Sequence, residues 1–368
     1  MRILCVIDSL GSGGAQRQLT NLACGLRANG HQVELLVYRS QGTFHRSQIE
    51  AAGIPIHTVS KGAGFSWKVP RAIAALLHDK PFDAVVSYLD SSNVYAALGV
   101  LLSRRAVRLI VSERTSYLAG EGRISAFIRR VLYIRATWVV ANSHSQADHL
   151  RTYSWLRGRV TAILNGYNLW PLTNRGTGPT GRALRLLVLG RVGAPEKNGL
   201  RLLQALQLFR ERHGYVPAVA WAGRQEPSPR ALAIRSDMDR FLGDHPEIHG
   251  HWEWLGERRD VEQLLAAHDA LVHVSLFEGL PNAICEAFVA GRPVVASAVC
   301  DHPRLVEEGA RGFLCDPHSP ESICHALERL AALSPAERDA VGRNARMFAE
   351  QHLALSRMVA RYEALLSQ

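Results

Sequence analysis

The sequence predicts an α/β protein made of two doubly wound parallel-sheet domains. Short apolar runs of strand length alternate with amphipathic helical stretches, the pattern of repeated βα units. A chain of 368 residues is too long for one ordinary core and suits two. The alternation is interrupted once, at Asn165-Gly166-Tyr167-Asn168 and the Pro-, Gly-, Thr- and Asn-rich stretch 171–181, and restarts at Leu184. These three observations put a first domain at 1–172 and a second from 173 onward.

In chain order, 2–10 is a buried-strand pattern, with no small-residue cleavage site after it that would make it a leader. Gly11 to Gly14 follow, then a helix with Leu19, Leu22, Ala23 and Leu26 on one stripe, stopped by Gly30. Strand, glycine loop and helix let a backbone approach phosphates closely, although a plain tight turn would look the same. The glycines do not spell G-x-G-x-x-G, and no acidic residue ends the next strand at 33–37. That argues against a nicotinamide cofactor. Further strands are expected at 54–59, 84–88, 109–112 and 138–142, with a helix from about Val94. Glu113 and Arg114 close the 109–112 strand and are expected at the carboxyl edge of the sheet, facing ligand, or else as a simple surface pair.

From 123 to 135, RISAFIRRVLYIR places Ile124, Phe127, Ile128, Val131 and Leu132 on one side of a helix. Arg123, Arg129, Arg130 and Arg135 take the remainder. The expectation is an apolar face packed on the sheet and a solvated basic edge. Contact of that edge with anionic lipid is compatible with it.

In the second half a strand at 184–190 runs into Arg191, and Lys197-Asn198 precede a helix at 199–212. A guanidinium fork and a compact ammonium at one corner can neutralise a diphosphate without a metal. Strands at 218–223 and 252–256 follow. The richest stretch is 275–297, SLFEGLPNAICEAFVAGRPVVAS. A strand at 270–274 enters the turn Glu278-Gly279-Leu280-Pro281. Ile284, Cys285, Phe288 and Val289 then keep helical spacing until Gly291, and a strand restarts at Pro293. Asn282 has N-cap chemistry, which would set Glu286 above it in the first turn. A carboxylate at such a corner can accept two hydroxyls of a ribose or hexose, while the open amides and the helix dipole favour phosphate.

Composition narrows the classes. Apolar content of 47% with 21% charged residues is that of a soluble globular protein. No apolar run approaches the roughly 20 residues of a membrane span. Six cysteines without a C-x-x-C suggest buried thiols in a reducing cytoplasm rather than disulfides or zinc. Residues 1–173 carry 20 Lys+Arg against 9 Asp+Glu (+11), and 174–368 carry 23 against 24 (−1). A basic first half suits an anionic partner: nucleic acid, an anionic membrane surface or a pyrophosphate-bearing lipid. The lack of a helix-turn-helix, zinc-finger or aromatic-rich basic motif argues against nucleic acid.

Glu278-x7-Glu286, within E-G-L-P-N and before G-R-P-V-V, resembles the E-x7-E signature of retaining GT-B glycosyltransferases, glycosyltransferase family 4. The match is strong over 184–330 and looser before it. The resemblance implies two Rossmann-like domains facing a deep cleft. The nucleotide sugar would lie on 173–350, the acceptor on 1–172, and a C-terminal helix at 351–368 would cross back to the first domain. It implies that Glu286 holds the ribose, Glu278 contacts the transferred sugar, and Arg191 and Lys197 carry the diphosphate. Asn282 and Ala283 would adjoin the donor, and Arg224 and Leu255 the base. Gly13 and Gly14 would line the donor's phosphates and sugar. Arg17, Glu113 and Arg114 would lie on the acceptor side, although S-E-R-T stands where many members have a His and leaves the acceptor base open. S-E-R-T is similar to the S-E-R-N variant of bacterial enzymes that build lipid-linked or surface glycans.

The resemblance implies retention of anomeric configuration, and with it the expected activity is metal-independent transfer of a hexose or N-acetylhexosamine from a nucleotide diphosphate sugar, UDP favoured. No cofactor is expected. The acceptor would be a glycan or polyprenyl-diphosphate-linked saccharide, reached by a cytoplasmic protein held peripherally at the inner membrane face. Asp237 and Asp239 match the D-x-D of metal-dependent glycosyltransferases of another fold, but beside Arg235 and Arg240 they read as a solvated helix face. The rival readings are a sugar-nucleotide epimerase or hydrolase on the same frame, and a basic nucleic-acid-binding protein.

Overall fold

The computed structural model describes residues 1–39, 42–115, 118, 123–172 and 184–368. The chain divides into two compact units, Met1–Asn168 with Leu353–Gln368, and Leu169–His352. The stretch read as a linker lies outside the described residues beyond Leu172.

The first unit holds a seven-stranded parallel sheet. Its strands are β1 (Arg2–Ile7), β2 (Gln32–Val37), β3 (Ile56–Thr58), β4 (Ala84–Tyr88), β5 (Arg108–Glu113), β6 (Trp138–Ala141) and β7 (Val160–Ala162), in the order β3-β2-β1-β4-β5-β6-β7. From Ile3 onward the interior strand β1 is apolar because helices cover both its faces, and Ile3, Leu4, Cys5 and Val6 have no exposed surface. At three residues, β7 is too short to have shown a periodicity.

The helix Gly14–Ala28 packs against the C-terminal helix Leu355–Leu366, whose Met358, Val359, Tyr362 and Leu366 join the core around Ile3, Cys5 and Ile7. Gly25 permits this approach, since a Cβ there would lie 2.4 Å from Val359. The chain ends in two helices, Pro335–His352 and Leu355–Leu366. Between them the chain bonds to Tyr167, whose N donates to the Leu353 carbonyl at 2.8 Å and whose carbonyl accepts from Leu355 N at 2.9 Å.

The largest departure from expectation is the helix Arg123–Leu132, which lies the other way round. Its inward stripe is Ala126, Arg129, Arg130 and then Tyr133, all buried, while Phe127, Ile128 and Val131 are exposed. The side chains of Arg123 and Ile124 lie outside the described residues. The cause sits on the neighbouring strand. Glu113, 1% exposed, receives Arg129 Nε at 2.9 Å and Tyr133 Oη at 2.5 Å, and Arg129 Nη1 also reaches Asp90 at 3.1 Å. A carboxylate buried without a cation costs more than leaving three apolar side chains in water, so the charge requirement sets the helix face.

The second unit is a six-stranded parallel sheet of β8 (Arg185–Leu189), β9 (Ala218–Ala222), β10 (Trp252–Gly256), β11 (Ala270–His273), β12 (Val294–Ser297) and β13 (Gly312–Cys315). Its order is β10-β9-β8-β11-β12-β13. Trp221, Trp252 and Trp254 cluster on β9 and β10, with the Arg235 guanidinium 3.9 Å from the Trp254 ring centroid. All six cysteines are free thiols; Cys24 and Cys300 are only half-buried.

Tyr362 has no exposed surface, so Tyr362→Ala should remove about 3 to 5 kcal/mol from the first unit. Hydrogen exchange is expected to accelerate in β1 and β4 while β8 and β11 stay protected. Equal acceleration in both units would contradict this packing.

Candidate functional site

In both sheets the first strand lies inside, and the chain leaves on one side before returning on the other. This makes a switch point between β1 and β4 and another between β8 and β11. Loops that leave such a pair diverge, opening a crevice at the carboxyl ends of the strands.

At the second switch point, β8 runs into Gly190 and Arg191, and a 3₁₀ turn Pro195–Lys197 follows. Trp221 Nε1 donates to the Gly190 carbonyl at 2.8 Å, and a Cβ on Gly223 would meet that same oxygen at 1.8 Å. Asn198 takes a left-handed conformation (φ 60°, ψ 33°), which asparagine tolerates better than most residues. Its Nδ2 donates to the carbonyls of Val274 at 3.0 Å and Pro317 at 2.7 Å, binding the β8 loop to the end of β11. Leu276 N donates to the Glu196 carbonyl at 2.8 Å across the same gap.

These bonds bring Lys197 Nζ to 2.5 Å from Glu278 Oε1. The two residues are 81 apart in sequence, and their side chains keep 15% and 18% exposure. His273, the last residue of β11 and 3% exposed, completes the group: its Nε2 lies 3.2 Å from Glu278 Oε1 and 3.2 Å from Ser275 Oγ. An ionised carboxylate only accepts, so His273 Nε2–H is the donor to Glu278. Burial works to raise the Glu278 pKa. The Lys197 charge and the His273 hydrogen bond prevail and hold the carboxyl well below its usual range. Burial first, and Lys197 second, push the His273 pKa down. The result is a carboxylate fixed between a cation and a neutral imidazole.

The helix after this turn differs from expectation at its start. It runs Asn282–Val289 with Pro281 as the flanking residue and no side-chain cap, so Asn282 is the first helical residue and not the cap. Proline before the first turn fixes the entry instead. Glu286 therefore falls in the second turn, and it is 6% exposed. Ala283 is buried in the first turn. Arg191, half exposed, is held by Glu196 at 2.5 Å and by Glu226. Two carboxylates thus fill the fork that would otherwise match phosphate. Arg224 is exposed just after β9, and Leu255 sits at the irregular register of β10, one and two strands outward from β8.

In the first unit Gly13 flanks the helix that starts at Gly14, which has neither a side-chain cap nor an acidic residue in its first turn. Both glycines stand beside the β1–β4 switch point. Gln16 Nε2 donates to Asp8 at 2.8 Å, and the Arg17 guanidinium lies 5.8 Å from the Tyr167 ring centroid. Arg114 stacks 4.2 Å from the Tyr88 ring centroid and donates to Asn165 at 2.8 Å. Glu113 corrects the sequence reading: it neither faces outward nor pairs with Arg114, because Arg129 and Tyr133 hold it inside. Asp237 and Asp239 bond Arg240 and Arg235 along an exposed helix face.

Sequence reasoning missed His273, Ser275, Glu196 and Glu226. A single histidine ending a strand has no spacing signature, and nothing along the chain ties Glu226 to Arg191. The same applies to His302. Its Nδ1 donates to the Ser297 carbonyl at 2.8 Å, its ring centroid lies 5.5 Å from that of His273, and burial pushes its pKa down to about 3.

Two doubly wound units, each with a switch point inside the sheet, define the GT-B class of fold. Consistent with this, the structure matches the crystal structure of Anabaena HepE in complex with UDP and glucose, with a TM-score of 0.83, 20% identity and full coverage of both chains. Residues 183–332 match the family model described as glycosyl transferases group 1, and residues 13–166 the glycosyl transferase 4-like domain. The chain is 32% identical to the lipopolysaccharide glucosyltransferase WaaG of Escherichia coli, over 94% of this chain and 93% of WaaG. It is also 23% identical, over 86% of this chain and 83% of the relative, to a Campylobacter jejuni N-acetyl-D-galactosaminyltransferase. That relative is named for a diNAcBac-PP-undecaprenol-linked acceptor. The chain belongs to the GT-B glycosyltransferases of the family 4 type.

Two outcomes follow for stability. Glu113→Ala leaves Arg129 buried without its main partner and should cost about 3 to 5 kcal/mol, read as a lower urea midpoint. The buried neutral histidines have folded pKa values below their unfolded ones, so the unfolded chain binds more protons as pH falls below about 6.5. Stability should therefore decline from pH 6.5 toward pH 4, by up to about 1.4 kcal/mol per pH unit for each such group. His302→Gln should flatten that slope, and an unchanged slope would exclude His302 as a contributor.

Proposed function

We propose that the chain is a retaining, metal-independent glycosyltransferase that moves a hexose or N-acetylhexosamine from a UDP-sugar to a hydroxyl of a glycan or polyprenyl-diphosphate-linked saccharide. It works as a cytoplasmic protein peripheral to the inner membrane face. The observation that carries the reading is the contact of Lys197 with Glu278 across the β8–β11 switch point, with Arg191 and the start of the Asn282–Val289 helix at the same corner.

The diphosphate takes Arg191 and Lys197, displacing the carboxylates that now occupy their donors. The two cations stabilise the charge that develops as the bond from sugar to diphosphate breaks, which dispenses with a metal. Glu278 then accepts hydroxyls of the transferred sugar, held in place by His273. Glu286 holds the ribose, and the base lies toward Arg224 and Leu255. With Glu113 tied to Arg129, the acceptor's proton passes to the departing diphosphate. Support for the UDP donor comes from HepE, and for a lipid-linked acceptor from the Campylobacter relative.

The experiment is a melting screen with UDP-, GDP- and ADP-sugars. UDP and its sugars at about 100 times Kd should stabilise by about 2.7 kcal/mol. Arg191→Ala and Glu286→Ala should each weaken UDP at least about tenfold, the loss of a charge-assisted contact. His273→Ala should leave UDP binding intact yet abolish the preference for UDP-sugar over UDP. Stabilisation that persists in both Arg191→Ala and Glu286→Ala would refute this site. Product analysis in chelator would test metal independence, and the anomeric coupling of the product would test retention.

A further inference from the structure

The first unit carries a pair of exposed aromatic rings that neither its core nor the proposed donor chemistry uses. Phe65 and Trp67, in the loop between β3 and the helix Lys68–Asp79, are 53% and 50% exposed. Their ring centroids lie 5.2 Å apart at an interplanar angle of 83°. Both are held in place from below. Phe65 rests on buried Tyr95, centroid to centroid 5.2 Å, and Tyr95 meets buried Tyr38 edge-on at 5.1 Å. Ser66 N, between the two exposed rings, donates to Tyr95 Oη at 3.0 Å. Tyr38 Oη is hydrogen-bonded with Ser91 Oγ at 2.7 Å and Ser92 Oγ at 2.9 Å. Lys61 closes the loop by donating to the Gly64 carbonyl. A ladder of four rings thus runs from the core to solvent, and its outer pair has already lost the rotamer freedom that binding would otherwise remove.

Position and chemistry identify the ligand. The ladder is built from segments that follow the ends of β2, β3 and β4: Tyr38, the loop of Phe65 and Trp67, and the helix Asp90–Ser103. It therefore stands at the carboxyl edge of the parallel sheet, the edge where Gly13 and Arg114 also lie. Apart from Ala63, the stretch 60–68 exposes no aliphatic side chain beside the two rings. Acyl chains or the core of a protein interface would be met by aliphatic neighbours as well. A pyranose needs only the rings: one of its faces presents axial C–H groups, weakly positive, which meet the electron-rich face of an aromatic ring. Two rings at nearly a right angle supply a floor for that face and a wall for its edge. The margin is cationic, since between Gly53 and His78 the sequence holds Lys61, Lys68 and Arg71 and no acidic residue, and Lys68 and Arg71 are exposed. A saccharide joined to a phosphate finds complementary charge there.

We propose that Phe65 and Trp67 form a platform on which a pyranose ring of the acceptor saccharide stacks, with the charges of Lys68 and Arg71 favouring the phosphate that links the saccharide to its carrier. Tyr95 and Tyr38 do not touch the sugar; they hold the platform. The platform rests on the glycan-acceptor reading above and names side chains that select the acceptor. Saccharide binding measured without donor succeeds or fails separately from UDP binding, so the two readings are tested apart.

The test is saturation-transfer difference NMR of the full chain with the methyl glycosides of glucose, galactose, N-acetylglucosamine and N-acetylgalactosamine, and with the corresponding sugar 1-phosphates. At least one methyl glycoside is expected to receive saturation, strongest at the ring C–H groups of one face. Trp67→Ala and Phe65→Ala should each weaken its binding about two- to tenfold, the worth of one ring contact, and Trp67→Phe should keep part of what Trp67→Ala loses. Lys68→Glu with Arg71→Glu should weaken the 1-phosphates and leave the methyl glycosides as they were. Leu232→Ala, at an equally exposed apolar residue of the second unit, should change nothing. Melting temperature and stabilisation by UDP, read on every variant, separate a lost platform from a lost fold. The proposal is overturned if no methyl glycoside binds the parent, or if the Trp67→Ala and Phe65→Ala variants bind the sugars as the parent does. Sugar signals unchanged in those variants, with loss instead of binding to phosphatidylglycerol vesicles or of a dimer in light scattering, would assign the rings to lipid or to a second copy.

Discussion

The placement of each sheet's first strand in its interior is the constraint on which the candidate site depends. In the second unit the chain leaves β8 toward β9 and β10 and must come back on the other side as β11. The loops after β8 and β11 are thereby neighbours although they lie far apart in sequence. Lys197 and Glu278 meet only because of that order. Asn198 then fixes the distance with two backbone carbonyls, one at the end of β11 and one beyond β13.

Two buried carboxylates show how similar chemistry leads to different uses. Glu113 and Glu278 both end up beside a strand's carboxyl edge, and both are held by a cation and a second donor. Glu113 and Arg129 are 1% and 6% exposed in their side chains, an arrangement closed to any ligand. Lys197 and Glu278, at 15% and 18%, keep a face toward solvent. A pair so placed can exchange partners with an incoming diphosphate or sugar without first breaking the core. Arg191 carries the same logic further, since the carboxylates of Glu196 and Glu226 stand where phosphate oxygens would bond.

The closed pair has a consequence at a distance. Because Arg129 must reach Glu113, the helix that carries it turns Arg129 and Arg130 inward and Phe127, Ile128 and Val131 outward. Amphipathic spacing alone favours the opposite orientation by a modest transfer free energy. A buried unpaired charge outweighs that difference. An electrostatic need inside the first unit thus produces the apolar surface outside it.

The sequence by itself determined the strand positions, except those of the short β7 and β13, and the composition of the corner at 275–297. Parallel strands buried on both faces read as apolar runs whatever their neighbours, and the turn with Glu278 and the helix with Glu286 are local in sequence. The cations Arg191 and Lys197 were legible for a similar reason, one just after a strand and the other just before the next helix. Even there, the start of the helix was misplaced by one residue, because Pro281 competes with Asn282 for the flanking position and only backbone conformation settles it. Tertiary structure alone decided the pairing of His273 with Glu278, of Glu113 with Arg129, and the facing of the Arg123–Leu132 helix. Each is a partnership between charges or dipoles brought close by strand order, and the strength of such contacts depends on burial and distance, which a linear pattern of residues does not contain.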